Sequence, residues 1–223
     1  MTRVTREWVR LPTAWIARGG LARFNWHSGN GASSAAALMT LIATAHQADE
    51  GNGIAHVTYD YLQDVTSLSR AKVSAGLQVL EQFGIVGRRA LGRSTVSLLD
   101  YDRQRGWGKL PAKGLYLGKA IEAFSYFSLR KPAELNALKL YLLFVERRNN
   151  ASNLANVSYD KIQAYTDIDR PRIKAGLNVL MANGLVHVEH VPSSISAFGV
   201  SNAYRLAYLD SYSHMGTQGR RGL

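Results

Sequence analysis

The sequence predicts a mainly α-helical protein with small β-hairpins, built from one domain written twice. The duplication is direct: His56 to Val86 (HVTYDYLQDVTSLSRAKVSAGLQVLEQFGIV) aligns without a gap on Asn156 to Val186 (NVSYDKIQAYTDIDRPRIKAGLNVLMANGLV), with thirteen identical positions. These include Tyr59 with Tyr159, Asp60 with Asp160, Arg70 with Arg170, Gly76 with Gly176 and Gly84 with Gly184. Upstream, Trp8 to Pro12 (WVRLP) resembles Trp107 to Pro111 (WGKLP). A spacing of this length marks a whole domain, not a solenoid repeat of about 20–50 residues. Composition agrees: 223 residues that are 46% hydrophobic and 19% charged suit two globular units of about 100 residues, each able to bury a core. Within each copy the apolar period changes from helical to extended near the end. The expected boundaries are residues 8–102 and 107–210, with 211–223 a flexible tail.

The elements follow in order. Ser33 to about His46 is an alanine-rich helix, apolar nearly all round as a central buried helix should be. Its counterpart runs from Pro132 to about Arg148, with proline in the first turn and arginines in the last, both favourable there. Loops from Gln47 to Asn52 and from Asn149 to Ser152 lead to short apolar pieces, Ile54 to Val57 and Leu154 to Val157, each long enough for one strand. Gly29-Asn30-Gly31 and Gly51-Asn52-Gly53 read as loops flanking the first helix. Thr58 and Ser158 are N-cap residues for a second helix, which passes through Leu62 and Val65 to Thr66, or Ile162 and Tyr165 to Thr166. Three-residue turns follow, Ser67-Leu68-Ser69 and Asp167-Ile168-Asp169, their apolar middle residues available to plug the core. Ser69 and Asp169 are then placed to cap a third helix, whose core stripe is Val73, Leu77 and Leu80, or Ile173, Leu177 and Leu180. Gly84 and Gly184 suit a left-handed helix end. Ile85 to Arg89, a turn with Gly92, and Thr95 to Leu99 read as a hairpin; Leu185 to Val191 and Ala203 to Tyr208 read as its longer counterpart.

Charge narrows the function. The formal net charge is +11, spread over both copies, which favours a polyanionic partner. There is no cysteine, hence no disulfide or thiolate metal site, and a reducing cytoplasm is the expected compartment. No apolar run approaches the ~20 residues of a membrane span, and the N-terminus has no secretory apolar core, so no membrane partner is expected. Enzymatic signatures are absent as well. Gly106-Trp107-Gly108-Lys109 lacks the spacing and following Ser/Thr of a phosphate-binding loop, and no close carboxylate pair is placed for acid–base work. The expectation is a binding protein that needs no cofactor and no metal.

The succession helix, strand, helix, three-residue turn, helix, hairpin is that of a winged helix-turn-helix. SLSRAKVSAGLQVLEQFGIV and DIDRPRIKAGLNVLMANGLV resemble the recognition helix and first wing strand of bacterial winged-helix DNA-binding proteins. The tandem arrangement, each unit prefaced by an aromatic-basic-Leu-Pro segment, is similar to plasmid and phage replication initiators and to regulators carried on mobile elements.

That resemblance implies sequence-specific binding of double-stranded DNA through two recognition helices. The base-reading positions are then Arg70, Ala71, Ser74 and Gln78 with Lys72 flanking, and Arg170, Pro171, Lys174 and Asn178 with Arg172 flanking. Arginine bonds two guanine acceptors at once; Gln and Asn do the same for adenine. Arg88, Arg89 and Arg93 make the first wing a candidate phosphate or minor-groove contact. The second has no Lys or Arg between Ala175 and Tyr204, so it contributes less at neutral pH or faces a protein. Its His187 and His190 fall on opposite strand faces and make a poor metal site. Gly76 and Gly176 are expected to serve packing, and Tyr59 and Tyr159 to pack at helix starts. Regulator and initiator remain equal alternatives, as do direct and inverted half-sites. The rival readings are a winged-helix interaction scaffold, and a division with unit one on DNA and unit two on a protein.

Overall fold

A computed structural model describes residues 4–27, 29–88, 94–192 and 200–209. In the first repeat the elements are β1 (Trp8–Pro12), α1 (Ala14–Ala17), a 3-10 turn (Gly20–Arg23), α2 (Gly31–Gln47), β2 (Ile54–His56), α3 (Tyr59–Thr66), α4 (Arg70–Gln82), β3 (Val86–Arg88) and β4 (Thr95–Leu98). The second has β5 (Trp107–Pro111), a 3-10 turn (Lys113–Leu115), β6 (Tyr116–Leu117), β7 (Ala120–Ile121), a 3-10 turn (Glu122–Tyr126), α5 (Pro132–Arg147), β8 (Leu154–Asn156), α6 (Tyr159–Thr166), α7 (Arg170–Ala182), β9 (Val186–Pro192) and β10 (Val200–Leu206).

The result is a mixed α/β structure with small antiparallel sheets. Its strand content exceeds the expected pair of hairpins. Each hairpin recruits the short strand before α3 or α6, giving three-stranded sheets of order β2-β4-β3 and β8-β10-β9. β1 and β5 also pair with each other, and β6 pairs with β7. The β1–β5 pair joins segments about 100 residues apart, so no local period reports it.

α2 and α5 are the centre of the molecule. α2 packs against α3, α4, β1 and α5, which is why it can be apolar nearly all round. It begins at Gly31, inside what reads as a loop in the sequence, and Gly31 lies under Trp26, where a Cβ would stand 2.3 Å from the indole. Most buried apolar residues of both repeats form one continuous cluster, with Leu38 and Ile42 on one helix and Leu138 and Leu142 on the other, and Leu154, Val191 and Ala203 form a small second one. Polar contacts also cross between the repeats. Lys139 of α5, almost wholly buried, donates to the Phe24 carbonyl at 2.7 Å, and burial pulls its pKa down to about 8. His46 at the end of α2 lies 2.9 Å from the Pro111 carbonyl through Nε2 and 2.9 Å from the Tyr116 hydroxyl through Nδ1. A carbonyl only accepts, so the proton is on Nε2 and Tyr116 donates to Nδ1. Burial lowers the His46 pKa to about 4, against the opposing pull of the Pro111 bond.

The turns before α4 and α7 form as their chemistry predicts. Thr58 and Ser158 accept from the amides of Tyr61 and Lys161 at 3.1 and 3.3 Å. Ser67 and Asp167 take left-handed conformations, φ 58° and 54°, and Leu68 and Ile168 are buried. Gly84 and Gly184 end α4 and α7 at φ 65° and 63°. Gly76 and Gly176 pack against the central helices: a Cβ on Gly76 would stand 2.9 Å from the Ala36 backbone, and one on Gly176 2.9 Å from a Leu140 methyl. Among the described residues no helix is long and apolar enough to cross a membrane.

Candidate nucleic-acid interface

The helix that follows the tight turn in each repeat, α4 or α7, buries one stripe and exposes another. Val73, Gly76, Leu77 and Leu80 are buried, as are Ile173, Gly176, Leu177 and Leu180. Arg70, Ala71, Ser74 and Gln78 are exposed, as are Arg170, Pro171, Lys174 and Asn178, so each predicted set lies together on the solvent side of one helix. The flanking residues differ: Lys72 is half-buried and Arg172 exposed.

Arg70 and Arg170 are tethered in the same way. Nη1 of Arg70 donates to Oδ1 of Asp60 at 3.2 Å, and Nη1 of Arg170 donates to Oδ1 of Asp160 at 3.2 Å. Each guanidinium lies over the tyrosine that opens the preceding helix, 4.8 Å from the Tyr59 ring centre and 5.9 Å from that of Tyr159. Tyr59 and Tyr159 thus do more than pack at helix starts. The arginines are about two-thirds exposed, so solvent screens these pairs and they contribute little stability. They limit where the guanidinium points. Among the described residues the other N–H donors of both arginines have no protein partner, so they remain for a ligand.

The N-termini of α4 and α7 are capped differently. Ser69 accepts from the Lys72 amide at 3.4 Å. Asp169 makes no such cap, contrary to the sequence expectation. Pro171 has no N–H to give, and the Arg172 amide is taken by the Asp169 carbonyl at 2.8 Å. The Asp169 carboxylate sits 3.4 Å from Arg172 Nη1 instead. Lys72 and Lys174 have no carboxylate partner among the described residues.

Of the three arginines in the first hairpin, Arg89 and Arg93 lie outside the described residues. Arg88 is engaged: Nη2 and Nε donate to Oε2 of Glu81 at 2.6 and 2.9 Å, and this partner raises its pKa. No acidic residue lies between Gln82 and Leu99, but Glu81 just before that stretch reaches the hairpin strand and pairs with Arg88. In the second hairpin His187 and His190 are exposed, and Arg205 of β10 is buried in an ion pair with Glu189, 3.1 Å between Nη2 and Oε2. No group of metal-ligating side chains occurs among the described residues. A groove of about 880 Å³ between α3 and the β6–β7 arm is lined by Asp60, Asp64, Lys113 and Lys119, a mixture of charges that does not suit a polyanion.

Sequence reasoning missed Asp60, Asp160 and Glu81 as partners of candidate arginines. The signal was present for the first two, since Tyr, Asp and Arg recur at the same positions in both copies. It also missed a cluster on the outer face of the β1–β5 ribbon. There the Trp8 and Trp107 rings stack at 5.8 Å and 9°, with the Arg10 guanidinium 5.5 and 4.9 Å from their centres and Lys109 Nζ 4.7 Å from that of Trp8. No protein-family model and no curated protein matches this chain.

Proposed function

We propose that the protein binds double-stranded DNA sequence-specifically as two tandem winged-helix units, residues 8–102 and 107–210, in the role of a transcriptional regulator or a plasmid or phage replication initiator. One observation carries the reading. At the same position after the same tight turn, each repeat presents an exposed arginine held by an aspartate and a tyrosine of the preceding helix. A fixed arginine at the start of an exposed helix is suited to guanine, whose two major-groove acceptors it can bond together. The net charge of +11 and the resemblance of the turn-and-helix segments to winged-helix proteins support the same conclusion. The reading is that of a binding protein and assigns no catalytic residue and no cofactor.

A second reading puts the first repeat on DNA and the second on a protein. It is favoured by the β9–β10 hairpin, whose described cation, Arg205, is paired, and by exposed Met181 at the end of α7. A gel shift of the full chain on random duplex over a salt series separates these readings from a scaffold. DNA binding requires affinity to fall steeply with salt, by about 0.9 log units per log unit of salt for each phosphate engaged. Weak, salt-independent retention would remove the DNA reading.

A further inference from the structure

The contacts between the two repeats are reciprocal. Trp8 and Pro12 correspond in the repeat to Trp107 and Pro111. In the β1–β5 pair Trp8 lies opposite Pro111 and Pro12 opposite Trp107, so each arm gives the other the contact it receives. Arg10 and Lys109, which are counterparts, face each other at the centre, and the counterpart tryptophans stack on each other. The helices behave likewise. α2 packs against its counterpart α5; α3 packs against β7 of the second arm, while α6 packs against the Gly20–Arg23 turn at the equivalent place in the first. Partners that exchange in this way are generated by a two-fold axis, which makes the interface isologous; a head-to-tail arrangement pairs two different surfaces.

We infer that the DNA site is an imperfect inverted repeat, both halves of which are read by one chain. This rests on the reading of α4 and α7 as the helices that enter the groove. The operation that carries α4 onto α7 also carries whatever α4 touches onto whatever α7 touches. On a single duplex that operation is a two-fold across the helix axis, and it reverses the sequence. A direct repeat needs a translation along the axis, which a two-fold does not contain. The halves share the contact of Arg70 and Arg170. They diverge beyond it, because Ala71, Ser74 and Gln78 of one helix stand where Pro171, Lys174 and Asn178 stand on the other. The site therefore has a recognisable dyad without being a palindrome.

The test is selection of bound sequences from a random duplex pool with the full chain, together with the mass of the selected complex by analytical ultracentrifugation. Two related motifs in opposite orientation are expected, at a fixed spacing of roughly 10 bp or a multiple of it, with one chain per duplex. A probe carrying one half reversed in place should bind at least tenfold more weakly. Arg70→Ala should blur one motif and Arg170→Ala the other. Motifs in the same orientation, a single motif, or two chains on one inverted site would overturn the inference while leaving DNA binding intact. Failure to retain any duplex would remove the DNA reading itself.

Discussion

In the first repeat the candidate cations are Arg70 and half-buried Lys72 on α4, Arg88 on β3, and Arg89 and Arg93, which follow in the sequence outside the described residues. The second repeat has Arg170, Arg172 and Lys174 on α7, and its hairpin strands carry Arg205, buried against Glu189. One pair of positions records the change. Where the first copy joins Glu81 to Arg88, the second has Met181 and Val188, so both members of the ion pair are replaced by apolar residues. The Tyr–Asp–Arg cluster before and on α4 or α7 is the same in both. The two copies share the tyrosine, aspartate and arginine that aim one guanidinium, while the turn residues, the cap and the charges around them differ. The buried side differs as well: His46 meets the opposite arm where the second copy has half-buried Glu146.

The largest test of that difference is acidity. With its pKa lowered to about 4 in the fold, His46 binds fewer protons there than in the unfolded chain between pH 4 and 6.5. Stability is therefore full above about pH 6.5 and falls as pH drops through 4, by about 3 kcal/mol from this group. Urea titrations at pH 7 and pH 4.5 should show the fall, and His46→Gln should flatten that window at some loss of stability at pH 7. An unchanged pH profile in the variant would show that His46 does not govern it.

Next come the arginines that the two copies share. Arg70→Ala and Arg170→Ala should each lose about 1–3 kcal/mol of affinity for a selected site. Because the tether is the same, the two losses should be similar. Less than a twofold change for both would take α4 and α7 out of the interface. The glycines on the opposite face of these helices should be less alike. Gly76→Ala drives a Cβ into the Ala36 backbone, which cannot yield, and should destabilise by about 1–2 kcal/mol even after the gain in helix propensity. Gly176→Ala meets the end of a Leu140 side chain, which can rotate away, at the same distance and the Asn136 backbone only at 3.2 Å, so it should cost less than Gly76→Ala. Equal shifts in thermal midpoint would contradict the difference in packing.

The smallest effect concerns the first hairpin. Glu81→Met, which installs the residue of the second copy, releases Arg88 and should steepen the salt dependence of DNA binding by up to about 0.9. Alanine at Arg88, Arg89 and Arg93 together should make it shallower and weaken all sequences alike. A salt slope unmoved by either change would take the hairpin off the phosphates.

What was legible in the sequence was what is local. Caps at Thr58 and Ser158, the buried plugs Leu68 and Ile168, the left-handed ends at Gly84 and Gly184 and the exposed stripe of α4 and α7 each depend on neighbours within a few residues. The missing pieces involve partners distant in the chain or choices among competing bonds. β1 finds β5 across 100 residues. The buried Lys139 is read from sequence as one more charge, and only the fold brings it to Phe24. Asp169 had the right residue type for a cap, but the Arg172 amide that would have served it bonds the Asp169 carbonyl instead. The candidate arginines were identifiable by position, and their carboxylate partners only through the identity of Asp60 with Asp160.

The β1–β5 ribbon has a consequence for how the protein behaves on dilution. In a symmetric dimer of separate chains, the corresponding contact would dissociate as the protein became scarce, and occupancy of the target would fall with the square of concentration. Here both strands belong to one chain, and the local concentration of one arm around the other is set by the connection between them. Melting should be independent of protein concentration, and occupancy of a target should follow a simple hyperbola. A cell holding only a few molecules would still hold them fully assembled.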